Sequence, residues 1–288
     1  PPYVAATAFP GLPQDERGKA TEKAEFVLKS APDDVDAQLL KGAVLVVGKE
    51  TAKARAYLEG LQAKGIDRPD AYLLLARAYT QEKDSRSAEA VLLRGIKVSG
   101  KDLALHRALA DLYAAGGKYD AAAAQVKEVI ALEPENHGNS ITLAVLYWNT
   151  GQEPKGREIL DNLLASAPAD EGRRLDAARF YLSRGAAADA EKLLQEGIRL
   201  NAKTFHLRFA LADVYRNTGR SEQAVAVLND CLALEKDRGN PDILTTLSAL
   251  AKVHLERREL DKAKGYADEV VKANPRNVDG HLVARPLQ

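Results

Sequence analysis

The residues able to do chemistry in this chain are scattered rather than gathered. Five histidines, His106, His137, His206, His254 and His281, could ligate a metal or carry protons, but no two stand in the H-x-x-x-H spacing that aims both imidazoles at one ion. Cys231 is the single cysteine, so no intramolecular disulfide forms, and its helical position suits a small core residue with no activating partner. The acidic pairs Asp33-Asp34 and Glu133-Glu135 fall where helices must begin or end, and capping accounts for them. There is no glycine-rich phosphate loop and no G-x-S-x-G elbow. The sequence therefore predicts no enzymatic activity, no metal and no cofactor. What remains are residue types that anchor interfaces: the single Trp148, a large rigid apolar area, and arginines whose planar fork gives charge-assisted hydrogen bonds.

The chain that must position these groups has 288 residues, 45% of them hydrophobic and 28% charged, enough apolar material for a folded protein. Lys plus Arg number 41 and Asp plus Glu number 41, so no excess positive field drives binding to a phosphate backbone, and nucleic acid is not an expected partner. The stretch from Leu103 to Ile130 is interrupted by Arg107, Asp111, Lys118 and Asp120, and no run reaches the roughly 18 uninterrupted apolar residues of a membrane span. The chain starts at Pro1 and has no methionine, which puts an initiator residue and any targeting peptide outside it as an expectation.

Tyr79, Tyr113, Tyr147, Tyr181 and Tyr215 each follow the last by 34 residues. Frames opened ten residues before each tyrosine place Gly42, Ala76, Ala110, Ala144, Ala178, Ala212 and Ala251 at position 8. Position 20 holds Ala54, Ala88, Ala122, Gly156, Ala190, Ala224 and Ala263. Small residues at both places let two antiparallel helices approach closely. Leu75, Leu109, Leu143, Leu211 and Leu250, with Leu58, Leu92, Leu160, Leu194 and Leu228, fall at helical spacing on the buried faces. Gly116-Gly117, Gly151, Gly185 and Gly219 mark the turns within units, and Pro32, Pro134, Pro168 and Pro275 mark the ends.

Units are thus expected at 35–68, 69–102, 103–136, 137–170, 171–204, 205–238 and 244–277. A proline-rich irregular segment, 1–14, and a half repeat, 15–34, precede them, and an incomplete eighth unit, 278–288, follows. Incomplete units at both ends predict an array that continues further. Asp237-Arg238-Gly239-Asn240-Pro241 reads as a surface insertion, with a partner-contacting loop as the other reading.

Small residues at 8 and 20, an aromatic at 11 and a proline near 32 of a 34-residue unit resemble the tetratricopeptide repeat (TPR) family over about Ala20 to Asn277. The family's aromatic at position 4 survives only as Tyr72. The resemblance implies an all-α fold, a right-handed superhelical solenoid of about seven helix-turn-helix units, used as a binding scaffold. In such proteins positions 2, 5, 9, 12 and 13 of the first helix face a concave groove. Carried over, this assigns Leu73, Arg77, Arg107, Asp111, Ile141, Val145, Trp148, Asn149, Arg179, Leu182, Phe209, Asp213, Arg216 and Asn217 to the groove. Leu175 and His206 also fall at inward positions.

Apolar groove residues not needed by the core call for a cover, so a protein or peptide partner is expected, held through Trp148 and Arg179 above all. In the alternative, Trp148 packs on a neighbouring repeat and the arginines are solvated or paired with Asp111 and Asp213. A subset of the family grips carboxylate-terminated peptides through Lys at position 5 and Asn at position 9. Here those pairs are Leu73 with Arg77, Arg107 with Asp111, Ile141 with Val145, Leu175 with Arg179, and Phe209 with Asp213, so that clamp is not expected. The rival role is a rigid spacer or self-association module, with homo-oligomer formation open. The Ala- and Leu-rich regularity also resembles long bacterial repeat proteins of the cell envelope, which implies a periplasmic or envelope location, with the cytoplasm as the alternative.

Overall fold

The structure, a computed structural model, describes residues 14–274. Pro275, His281, nearly all of the expected irregular segment 1–14, the end of the seventh unit and the incomplete eighth unit lie outside the described residues. Within them there are fifteen α-helices and no strand. The chain divides into two compact units, Pro1–Arg157 and Glu158–Gln288.

In the first unit α1 (Gln14–Ser30) is followed by the hairpins α2 (Val35–Val47) with α3 (Thr51–Ala63), α4 (Pro69–Gln81) with α5 (Ser85–Ser99), and α6 (Leu103–Ala115) with α7 (Tyr119–Leu132). It continues with α8 (Gly138–Asn149) and the start of α9 (Glu153–Ser166). The second unit holds the rest of α9, then α10 (Glu171–Ser183) with α11 (Ala187–Leu200), α12 (His206–Asn217) with α13 (Ser221–Leu234), and α14 (Pro241–Glu256) with α15 (Leu260–Ala273). From α1 to α8 in the first unit and from α10 to α15 in the second, each helix packs on the next; first helices also touch directly, α2 on α4, α4 on α6, and α10 on α12.

The turns explain the 34-residue punctuation. Gly117, Gly151, Gly185 and Gly219 all lie at φ between 72° and 75°, the left-handed region where a Cβ is penalised. Lys49, Lys83 and Arg258 occupy the same place in their hairpins at φ 57°, 64° and 62°. A backbone bond closes each turn in the same way, as from Lys118 N to Tyr113 O and from Arg220 N to Tyr215 O, both 2.8 Å. Asp34, Asp84, Asp102 and Asp170 cap the helices that follow them through their carboxylates.

The small residues work as steric permits. A Cβ on Gly42 would stand 2.6 Å from Leu58 Cδ2, and one on Gly156 would stand 3.1 Å from Ala144 O. Leu58, Leu92, Leu109, Leu143, Leu160, Leu194 and Leu228 are fully buried between helices. Cys231 is buried as well, and burial pushes its thiol up to about 11.

Two features depart from the sequence reading. Pro241, taken as loop, is the first residue of α14, and Asn240 caps that helix by accepting from Asp242 N at 2.8 Å. The insertion therefore lengthens the helix as well as the loop, because Asn followed by Pro is cap-then-N1 chemistry. The second feature is position 4. Where the family aromatic is missing, Gln38, His106, Arg174 and Arg208 are buried in its place. Each finds a hydrogen bond: Gln38 Nε2 to Pro32 O, Arg174 to Pro168 O and Leu193 O, Arg208 to Thr204 O, and His106 Nδ1 with Gln125 Oε1. Large side chains at position 4 need room from position 27. A Cβ on Gly95 would approach Tyr72 Cγ to 2.8 Å, and one on Gly197 would approach Arg174 Cδ to 2.2 Å.

Candidate functional site

The residues assigned to a groove form stripes along the first helices. Ile141, Val145 and Trp148 stand at i, i+4 and i+7 on α8, as Phe209, Asp213 and Arg216 do on α12, so each trio shares one helix face. None of the assigned residues is fully buried. In the first unit Arg77 and Asn149 are exposed, while Leu73, Arg107, Asp111, Ile141, Val145 and Trp148 are half-buried. In the second unit Arg179, Asp213 and Asn217 are exposed, while Leu182, Phe209 and Arg216 are half-buried.

Half-burial has specific causes. Leu73 packs against the apolar core of α2 to α6. The Trp148 ring lies over its own hairpin: its Cε3 would be 3.6 Å from a Cβ on Gly156, and the Arg157 guanidinium sits 5.1 Å from the ring centroid. The indole would stand in ordinary contact with an added Cβ there; the close approach that glycine permits is to Ala144 O, at 3.1 Å. Phe209 meets Phe205 at 6.1 Å between ring centroids.

The four arginines separate into two kinds. Arg107 pairs with Glu133 at 2.6 Å, and Asn139 joins them, tying α6 to the end of α7 and the start of α8. The hydrogen bonds from Asn139 and Asn136, with the Arg107 charge, hold the Glu133 carboxyl below its ordinary value. Arg216 bonds Asp213 at 2.6 Å and Glu256 at 2.9 Å, joining α12 to α14, and Glu256 raises its pKa. Both are committed inside the fold. Arg179 is 72% exposed and bonds Asp176 one turn away at 2.8 Å, an arrangement weak in water. Arg77, exposed on α4, completes the pair of arginines facing solvent.

The histidines do not converge. His254 meets Glu259 at 2.8 Å and stacks on Tyr266, and the exposed His206 lies 3.8 Å from Glu171. Among the described residues no group of three or more His, Cys, Asp or Glu could hold a metal, and no helix is long and apolar enough to cross a membrane.

The sequence reading missed a pair of cross-hairpin clusters. Tyr113 and Lys118 both bond Glu89, and Tyr215 and Arg220 both bond Glu191, in matching positions of their repeats. Lys118 and Arg220 also lie over the same tyrosine rings, at 5.3 and 4.7 Å. The acid and the base share one register but recur only after three periods, with Ala123 and Arg157, and Gln152 and Ala186, between them, so the sequence carried only a faint signal.

Family models described as tetratricopeptide repeat match residues 15–69 and 73–137, residues 113–175, and residues 207–242, together more than half of the chain. A curated relative, "Cellulose synthase operon protein C" of Xanthomonas axonopodis pv. citri (strain 306), is 28% identical over 176 residues, 58% of this chain and 12% of the relative. Similar solved structures include yeast Tom70, 16% identical over 94% of this chain and 58% of that one, TM-score 0.47. Another is the C-terminal part of a TPR repeat-containing protein from Cytophaga hutchinsonii, 13% identical over 85% of this chain and 98% of that one, TM-score 0.45.

Proposed function

Because this chain belongs to the tetratricopeptide repeat family, we propose that it acts as a non-catalytic scaffold holding a peptide or partner segment along the exposed stripes of its first helices. The observation that carries this reading is the stripe Ile141, Val145 and Trp148: an apolar surface left half-open to water on α8, with Asn149 beside it. Covering such a surface recovers its hydration cost, and tryptophan at its centre is the residue type most able to anchor a partner. Arg77 in the first unit and Arg179 in the second are the arginines left to meet acidic or carbonyl groups of a partner, whereas Arg107 and Arg216 shape the helix faces through their own ion pairs. In the second unit Leu182 and Phe209 supply the apolar contacts. Contacts of this size fit a weak or transient complex.

The test is capture from a lysate of the source organism on immobilised wild type and on a Val145→Asp, Trp148→Ala variant whose helical circular dichroism is intact. Proteins retained by the wild type and lost from the variant support the scaffold. Equal retention by both removes the α8 stripe from the binding surface, and capture of nothing by either favours the spacer or self-association role.

The curated relative favours a second reading, that the array is one segment of a longer bacterial protein working beside a polysaccharide synthase. The chain spans only 12% of that relative. In-frame removal of the repeats from the full-length gene, with exopolysaccharide output unchanged, would count against it.

A further inference from the structure

Away from the stripes of the first helices, a cavity of 530 Å³ opens between the second helices α3 and α5, over α4. Its floor is Tyr72, Leu75 and Tyr79. One wall is α3 with Glu59 and Gln62, and the other is α5 with Arg94 and Val98. This is not a generic gap of the repeat. In the next cleft, between α5 and α7, His106 and Gln125 hydrogen-bond at 2.8 Å across the corresponding positions, and the counterparts of Glu59 and Asp67 are Leu93 and Lys101.

The cavity lining is net acidic, with Glu59 and Asp67 against the single Arg94. Glu59 accepts a hydrogen bond from the Tyr79 hydroxyl and Asp67 from that of Tyr72, and neither carboxylate has an ion-pair partner among the described residues. The bond to Glu59 pushes the Tyr79 phenol up to about 12, so it stays a neutral donor. Tyr72 and Tyr79 stand two turns apart on α4, so the two carboxylates mark opposite ends of the cavity roughly 10 Å apart. At the Asp67 end the Arg94 guanidinium already lies 5.3 Å from the Tyr72 ring centroid. At the Glu59 end the Arg55 charge reaches the Tyr79 hydroxyl through space, but Arg55 is paired with Glu82 at 3.5 Å. Beside this end the Gln62 amide nitrogen is buried without an acceptor. The lip is apolar, with Val98 52% exposed.

We propose that this cavity receives a basic side chain of a partner segment, an arginine or lysine flanked by an apolar residue, with the cation against Glu59 and the apolar neighbour against Val98. It is a second docking surface, independent of the first-helix stripes. A carboxylate that already holds a tyrosine hydroxyl is oriented before the partner arrives, so the charge contact costs little ordering.

The test uses amide chemical shifts of the full chain titrated with a capped heptapeptide, Gly-Ser-Leu-Arg-Leu-Ser-Gly, and with versions carrying Gln or Glu in place of its Arg. The expected result is shift changes at Gln62, Ala63, Leu75 and Val91, with the Gln peptide about tenfold weaker and the Glu peptide weaker still. Glu59→Gln keeps an acceptor for Tyr79 and should abolish the preference for Arg over Gln. Val98→Ser, at an exposed position that leaves the fold alone, should weaken binding by all peptides. Equal binding of the three peptides, preference unchanged in Glu59→Gln, shifts confined to α8, or no shifts at millimolar peptide each overturn the proposal. The α8 stripe is untouched by these variants, so this failure is separate from failure of the scaffold reading.

Discussion

Gly197→Ala should destabilise the second unit, although alanine is the better helix former. A Cβ at this position in α11 would stand 2.2 Å from Arg174 Cδ and 2.6 Å from Leu207 Cδ1. The arginine cannot simply swing aside, because its guanidinium donates to Leu193 O at 3.1 Å and to Pro168 O at 3.0 Å in a buried site. Overpacking of a filled core costs up to about 3 kcal/mol, and replacing a mid-helix glycine by alanine returns about 1 kcal/mol. The balance is a loss of about 2 kcal/mol. Gly265→Ala is the control: nothing lies within 4 Å of its Cβ position in α15, so it should gain up to about 1 kcal/mol. Urea denaturation followed by circular dichroism compares the two, and hydrogen exchange of the α10 to α12 amides locates the loss, since a repeat array melts locally. In an Arg174→Ala background the cost of Gly197→Ala should shrink, leaving only the contact with Leu207, a coupling that a double-mutant cycle reads directly. Gly197→Ala as stable as Gly265→Ala, or additive with Arg174→Ala, refutes the pairing of positions 4 and 27.

Three further outcomes follow from the same structure. Lys83→Gly relieves a left-handed backbone at φ 64° and should raise stability by about 0.5–1 kcal/mol, whereas Gly117→Ala at the matching turn should lower it by about 1 kcal/mol; equal urea midpoints for both variants contradict this. The Glu259 carboxyl is held down to about 2 by Lys262, Arg257 and His254. Its folded pKa is depressed, so its contribution is present above the unfolded value near 4.5 and is lost as pH falls through about 2. The melting temperature should accordingly drop between those values and drop less in Glu259→Gln, and parallel profiles for the two proteins would argue against the linkage. Cys231, buried with its thiol raised to about 11, should react with a disulfide reagent at pH 8 only as the protein unfolds; immediate stoichiometric labelling would show the site open.

The repeat was readable because it is written in residues that sterics leaves little choice over. Ala and Gly at the crossing points, glycine at a left-handed turn and aspartate at a helix start each answer to a local constraint. The candidate site was readable only as a list of positions. That Arg107 is held by Glu133, 26 residues on, depends on how its own hairpin closes, and that Arg216 is held by Glu256, 40 residues on, depends on how neighbouring repeats meet; the residue spacing carries no trace of either. The cavity beside Tyr72, formed between neighbouring repeats, was equally hidden. The missing position-4 aromatics were visible, but their replacement by buried, hydrogen-bonded Gln38, His106, Arg174 and Arg208 required the backbone carbonyls to be placed first.

The central claim, that the exposed face of the first helices is where this scaffold meets its partner, is tested most directly by site-specific photo-crosslinking in the source organism. A crosslinking amino acid is placed at Asn149 on the α8 stripe and, separately, at the exposed Glu128 on the second helix α7. The account predicts that Asn149 yields a discrete crosslinked protein, lost when Val145 is changed to Asp, while Glu128 does not trap that species. Equal trapping from both positions, or trapping from Glu128 alone, would contradict it.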